Sequence, residues 1–388
     1  MTSLSSLVPL LMALVLVVKP WGLLGRPEAA PPSAMPEGIA SPGRFRVFEK
    51  LLVALALLVA AMLPLFGDAY AVKVATEVLI FALAAFSLNF LVGNGGIVSF
   101  GHAAYFGLGA YASGLLVTKL GMPMEPALIA APLAGGFFAA LFGFFIVRLQ
   151  GIYLAMLTLA FAQIAYAVCF QWVEVTGGDN GIVGVWPAPW AASRIVYHYL
   201  VLVVAVLGII ALRHVIYAPF GASLRAARDS AARAEAIGID VRAHRWLGFT
   251  IAGAAAGLAG GLYAFSKGSI DPTLLGIPLS VDFLAMILLG GMQSVMGPVL
   301  GAAAFHSIKD IFMPITDHWR FFLGASIIAL VEPLPLVPAT WKQGVQRSGE
   351  PRRSDNARIR STPRREPRLR NPVNQRSVAA ASISAEGR

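Results

Sequence analysis

Long apolar runs recur along nearly the whole of this chain, and they limit its folds more than any motif does. They cover residues 50–66, 72–92, 98–118, 126–148, 151–172, 196–216 and 246–265, with a longer run at 281–310 and a last one at 320–338. Each full run is close to the ~20 residues a helix needs to cross a hydrocarbon core. The run at 281–310 exceeds one span and is interrupted by Gly290-Gly291 and Gly297-Pro298, which predicts two short or broken helices. Only 13% of residues are charged, against roughly 25% in soluble domains. The expected fold is all-α and polytopic, with about nine or ten spans.

The two ends differ from this body. Residues 4–24 are apolar except Lys19, too long a run for a typical signal-peptide core. They predict an extra N-terminal membrane helix ending at Lys19-Pro20-Trp21. Residues 26–48, rich in Pro, Ala and Gly, read as a cytoplasmic linker, so 1–48 precede a transmembrane domain at 49–340. Residues 341–388 hold 12 Lys/Arg and 4 Asp/Glu, a net +8 of the formal +10 of the whole chain. The basic balance therefore reports this tail. Its composition cannot bury a core and reads as a disordered tail. An arm for nucleic acid or anionic lipid would use the same charge, but nucleic acid is not expected as a partner.

Charge sets the expected topology. The 217–246 loop carries five Lys/Arg (Arg225, Arg228, Arg233, Arg242 and Arg245), whereas 173–194 carries one, Arg194. The positive-inside rule puts the first loop in the cytoplasm and the second outside. Counting spans outward puts Arg148, the 26–48 linker and the C-terminal tail in the cytoplasm too.

The 217–246 loop has its own pattern. Pro219 and Gly221 break the preceding helix. Ser223 is the expected N-cap and Gly238 the expected C′ stop. Between them Leu224, Ala227, Ala231, Ala234 and Ile237 recur at helical spacing. Arg225–Asp229 and Asp229–Arg233 are expected i,i+4 pairs on the other face. A solvated loop accounts for this pattern, and so does a docking helix that offers its small-residue stripe to another protein.

Chemistry-bearing groups are sparse. Ionisable residues stand at segment ends (Lys73, Glu77, Asp282, Lys309, Asp310), and the middles carry Asn89, His102 and Gln163. The lack of a central carboxylate counts against a proton-coupled transporter, while Na⁺ coupling through carbonyls stays open. No Gly-Lys-Ser/Thr phosphate loop occurs, so the chain does not hydrolyse nucleotide by that route. Cys169 is the only cysteine, which excludes an internal disulfide and a cysteine metal site, and no metal site is expected.

Two glycine patterns stand out. Gly253, Gly257 and Gly261 form overlapping GxxxG motifs and are expected to let another helix approach closely. Residues 93–114 hold seven glycines together with Asn94, Ser99, His102 and Tyr105. Four glycines within 93–101 make a continuous helix costly. A break would free backbone groups that must find protein or a water cavity. Asn89, Asn94, Ser99, His102 and Tyr105 are therefore candidates for a translocation path. A packed helix in which His102 bonds a carbonyl accounts for the spacing equally well.

These segments resemble a known family. GNGGIVSFGHAAYFGLGAYASGLL, YLAMLTLAFAQI, TGGDNGI and FLAMILLGGMQSVMGPVLGAA are similar to signature pieces of branched-chain amino acid ABC importer permeases of the LivM type, in colinear order over about 49–330. The stretch 220–264 resembles the family's cytoplasmic coupling loop and following helix. The resemblance implies an inner-membrane heterodimer with a second permease, two ATP-binding subunits gripping the coupling loops, and a periplasmic substrate-binding protein. It implies no catalysis on this chain and no cofactor, since ATP and Mg would be bound by the partner subunits. Carried over by position, Ser223, Arg225, Ala226, Arg228, Asp229, Ala234 and Gly238 fall on the coupling helix, with Arg233 on its charged face.

The sequence departs from the family at both ends. Residues 10–26 resemble the last helix of the partner permease, and Glu332-Pro333-Leu334-Pro335 replaces an expected leucine-rich close. An importer permease for urea or another amide, a self-sufficient secondary transporter and a membrane scaffold remain rival readings.

Overall fold

The structure is a computed structural model that describes residues 47–292, 297–315, 318 and 320–325. The expected helix at 4–24, nearly all of the linker, most of 320–338 and the basic tail lie outside the described residues.

The described chain is helical, as its apolar runs predict. Helices α1 (Val47–Phe66), α2 (Ala69–Asn89), α3 (His102–Thr118), α4 (Met124–Ile146) and α5 (Gly151–Gln171) follow in order. Then come α6 (Arg194–Tyr217), the short α7 (Pro219–Asp229) and α8 (Ala231–Ala236), α9 (Val241–Lys267), α10 (Ile277–Gly290) and α11 (Gly297–Phe312). The strands β1 (Ile182–Val183) and β2 (Ser269–Ile270) pair antiparallel at the end of the bundle opposite α7 and α8. Among the described residues, five helices are long and apolar enough to cross a membrane: α2 with its extension to Asn94, α4, α5, α6 and α9. The run at 281–310 is broken at Gly291, where α10 ends, and its two described legs are short.

The bundle is packed around α9, whose largest interfaces are with α4 and α3. Helix α4 shows why. Between its buried ends, Met124 and Ile146, its inner side is made of Ala127, Ala131, Gly135, Gly136, Ala139 and Gly143, while Ile129, Leu133, Phe137 and Phe144 point outward. Small residues inside and large ones outside invert the soluble pattern and suit helices that pack closely in lipid. Gly253 and Gly257 of α9 meet that small face. A Cβ on Gly257 would lie 2.5 Å from the Ala131 carbonyl oxygen and 2.9 Å from the Gly135 Cα. Gly261 faces Ala131 and Ser113, and Gly260 lies against the Phe106 carbonyl of α3.

Further in, an aromatic group ties five helices together. Phe81 of α2 stands 5.9 Å from Phe106, 5.6 Å from Tyr263, 5.8 Å from Phe283 and 4.8 Å from His306, ring centre to ring centre. Helix α1 is held by its own irregularity. Pro64 lacks the N–H that would bond the Ala60 carbonyl, and His198 Nε2 of α6 donates to that carbonyl at 2.9 Å.

Candidate functional site

The polar segment between α6 and α9 folds as two helices that meet at Ser230, so the single helix expected over 223–237 does not form. Ser230 is extended, and its hydroxyl accepts from the Arg233 N–H at 3.4 Å, capping α8. Ser223 is not the N-cap. Pro219 opens α7 with Ala218 as N-cap, and the Ser223 hydroxyl donates to the Pro219 carbonyl at 3.1 Å. Proline suits that first position because its missing N–H would be unbonded anyway. Gly238 does close the segment, at φ +89°.

The small-residue stripe expected to face a partner instead faces the chain itself. Leu224 joins a core with Leu91, Ile97, Ile216 and Phe249, while Ala227 and Ala234 pack with Val241. Ala226 is half-buried beside them. Asp229, Arg233, Glu235 and Ile237 face outward, and Ile237 is 75% exposed. The expected pairs of Asp229 with Arg225 and Arg233 give way to an ion pair with the adjacent Arg228 at 2.9 Å. The cause is the break at Ser230, which moves Arg233 to another helix, together with backbone carbonyls that draw Arg225 inward.

Those carbonyls belong to helix ends. Arg225 donates to the Ile216 carbonyl at 2.7 Å and to Asn94 Oδ1 at 3.5 Å, and Arg228 donates to the Gly93 carbonyl. Helix α2 finishes in a π-helical turn, Phe90–Asn94; the Gly95, Gly96 and Ile97 N–H groups serve the Leu91 and Val92 carbonyls, and Arg228 serves that of Gly93. Two guanidinium groups thus stand where the helix dipole is negative. Burial, and then the charge of Arg228, push the Arg225 guanidinium below its ordinary value. Gly96, at φ +64°, has no side chain where the stem of Arg228 passes. The turn after α10 reaches the same joint, since a Cβ on Gly93 would lie 2.8 Å from the Met292 carbonyl oxygen.

The break between α2 and α3 is present, and its freed groups find protein. Thr158 Oγ1 of α5 accepts from the Phe100 N–H at 3.1 Å, and Ser280 Oγ of α10 accepts from the Ala103 N–H at 3.1 Å. The path candidates Asn89, Asn94, Ser99, His102 and Tyr105 line neither of the two cavities along α10, and the interface with a second permease, where a water-accessible route is expected, involves another chain. Asn89, Ser99, His102 and Tyr105 are buried, and Asn94 is half-buried beside Arg225. His102 Nε2 bonds Ser87 Oγ at 2.7 Å, while its Nδ1, Asn89 Oδ1 and Ser99 Oγ are buried without a partner. In the non-helical stretch before α3, Val98 and Phe100 face out while Ser99 faces in. Alternation along an extended chain puts the two kinds of side chain on opposite sides.

Two cavities lie along α10, apart from another of about 530 Å³ between α2 and α6 beside Lys73 and Arg194. One cavity of about 530 Å³ sits toward the β1–β2 end between α5, α9, α10 and α11. Its polar wall includes Gln163, Tyr263, Asp282, His306, Lys309 and Arg320, and its apolar wall includes Phe81, Leu274 and Phe305. A second, mostly apolar cavity of about 960 Å³ shares Ile277, Pro278, Asp282 and Arg320, and extends along α10 to Val92, Val98, Phe100 and Met292. The two form a row from the β1–β2 end to the Gly93 joint. Sequence reasoning set Asp282 and Lys309 aside as segment ends and passed over His306 and Arg320. The available signal was that Asp282 and Lys309 flank a broken helix pair.

A family described as "Branched-chain amino acid transport system / permease component" matches residues 70–331. The chain is 27% identical over 334 residues to the high-affinity branched-chain amino acid transport system permease protein LivM of Salmonella typhimurium, covering 78% of each chain. It is 28% identical over 327 residues to the protein of the same name in Escherichia coli, covering 76% of this chain and 77% of that one. A probable permease LivH of Methanocaldococcus jannaschii is 27% identical over 115 residues, 29% of this chain and 36% of that protein. No solved structure matches the chain. The chain is a polytopic all-α protein that belongs to the branched-chain amino acid transport system permease family.

Proposed function

We propose that this chain is one of two permeases of an ATP-driven importer that carries branched-chain amino acids across the bacterial inner membrane. The second permease lies beside it, two ATP-binding subunits dock on the cytoplasmic α7–α8 segment, and a periplasmic binding protein delivers the substrate. Nucleotide and Mg are held by the docked subunits. The C-terminus is cytoplasmic with α7–α8.

The observation that carries this reading is the joint at Gly93. Arg225 and Arg228 lie on a segment whose outer face is exposed, and they hold the broken end of α2 directly. A partner that pulls on α7–α8 therefore moves the end of α2 and the turn after α10 together. The relatives named above support the substrate class. The test is uptake by a strain lacking the gene. It should lose high-affinity leucine uptake and regain it from a plasmid copy; normal leucine uptake in that strain would remove the reading.

One observation favours a second reading. Asp282 lines both cavities, so a carboxylate does stand beside the open space. A self-sufficient cation-coupled transporter would use such a group. Dependence of uptake on an ion gradient separates the two.

A further inference from the structure

The cavity between α2 and α6 opens at the β1–β2 end of the bundle. Lys73 and Arg194 line it, and no carboxylate does. Other cations toward this end are engaged: Lys119 donates to the Glu174 carbonyl at 3.2 Å, Lys267 pairs with Glu77 at 3.2 Å, and Lys309 and Arg320 have partners of their own. Among the described residues Lys73 and Arg194 have neither a hydrogen bond nor an ion pair. Two unpaired cations therefore share one cavity. Tyr70 and Trp186 stand on the same cavity and are 67% and 69% exposed. Trp186 is seated against Gly268, where a Cβ would lie 2.8 Å from its ring. Helices α2 and α6 are long and apolar enough to cross a membrane, and Lys73 and Arg194 lie within their first two turns. The cavity is thus at the depth of the lipid headgroups, the level at which Tyr and Trp side chains collect.

We infer that this cavity holds the phosphate of an anionic phospholipid in the leaflet opposite α7–α8. The inference goes beyond the transport reading and requires only that the bundle spans a membrane. A wall with two cations and no carboxylate suits a ligand of net negative charge, and it offers a zwitterionic amino acid nothing for its ammonium. Arg194 brings a planar fork of donors and Lys73 a compact charge, and both are chemistries that bind phosphate oxygens. The rest of the wall includes Val72, Pro187, Trp186 and Phe265. Free phosphate would leave that apolar surface uncovered, whereas an amphiphile covers it. Next to the lining residues in the chain, Phe66, Ile195 and Val196 are exposed apolar side chains, which extend the same surface for acyl chains. An acidic protein would meet the two charges from the water side and leave these apolar groups to the bilayer, so a lipid fits the whole cavity better. A headgroup held by both cations ties the start of α2 to the start of α6.

The test uses the full-length protein with its co-purifying subunits in phosphatidylcholine nanodiscs. One sample contains phosphatidylglycerol with a diazirine at the top of one acyl chain, and a parallel sample contains the same probe built on phosphatidylcholine. After irradiation, label on peptides covering 69–76 and 186–197 should be about tenfold or more higher from the glycerol probe, the order of preference that two basic side chains at a charged-lipid surface supply. Unlabelled phosphatidylglycerol should compete it. Lys73→Gln combined with Arg194→Gln should bring the ratio of the two probes close to one, while label on the arginine-bearing α7–α8 segment holds. Where that double variant does not assemble, the wild-type ratio decides alone. Equal label from the two probes in the wild type overturns the inference. Loss of binding-protein capture by the double variant, together with that equal label, would make the cations a protein-docking patch instead. Loss of the wild-type label on adding millimolar sodium phosphate at constant ionic strength would make the free ion the ligand and overturn the lipid as well.

Discussion

Arg228 gives the sharpest mutational test. Its guanidinium donates to the Gly93 carbonyl and pairs with Asp229, and the side chain is only 19% exposed. A hydrogen bond from a charged group contributes about 1.5–3 kcal/mol. The Asp229 pair adds little, because that carboxylate is 45% exposed and exposed pairs are worth about 0–1 kcal/mol. Arg228→Met should therefore weaken the joint by about 1.5–3 kcal/mol, raising its opening roughly 10- to 150-fold. The change is local, since the core around α9 is untouched. Hydrogen exchange should accelerate by that factor at the Gly96 and Ile97 amides, which bond the Val92 and Leu91 carbonyls across the joint. Leucine moved per ATP hydrolysed should fall while protein level and basal ATPase hold. Arg228→Lys should be intermediate, because an ammonium lacks the guanidinium's fork of donors. Wild-type exchange and a wild-type transport-to-ATPase ratio in Arg228→Met would show that the joint carries no force.

Three further outcomes follow from the packing. Gly257→Leu should sharply lower the yield of assembled complex on a native gel, because a Cβ there already lies 2.5 Å from the Ala131 carbonyl oxygen; normal yield would mean that α9 and α4 do not meet there. Ile237→Asp, on the exposed face of the α7–α8 segment, should reduce co-purification of the ATP-binding subunits without altering exchange at residues 93–97, and unchanged co-purification would place docking elsewhere. In a Cys169→Ala background, Val98→Cys and Phe100→Cys should react with a small thiol reagent, whereas Ser99→Cys and His102→Cys should not; the reverse pattern would return the route to the buried polar residues.

The helices were legible because a membrane demands length and apolarity, both of which a single sequence displays. The run at 126–148 became Met124–Ile146, and Gly290 and Gly297 marked the broken pair. Ser230 was not legible, since no glycine or proline announces that break. Periodicity also identified the stripe of Leu224, Ala227 and Ala234 without saying what covers it; the answer, the chain's own core, depends on residues more than a hundred positions away, such as Leu91. The Gly93–Gly101 break was readable from its glycines. Its satisfaction by Thr158, Ser280 and Arg228 was not, because each donor or acceptor comes from a different helix. The charged cavity was hidden for the same reason, as Gln163, Tyr263, Asp282 and Lys309 converge only in three dimensions.

The central claim is that this chain moves an amino acid with energy supplied by a docked ATPase. Proteoliposomes holding both permeases and both ATP-binding subunits, with binding protein outside and ATP inside, test it most directly. The account predicts accumulation of labelled leucine that requires hydrolysable ATP and persists when ionophores collapse the proton and sodium gradients. Accumulation that survives without ATP and vanishes with the ionophores would contradict it, and would make Asp282 the coupling carboxylate of a secondary transporter.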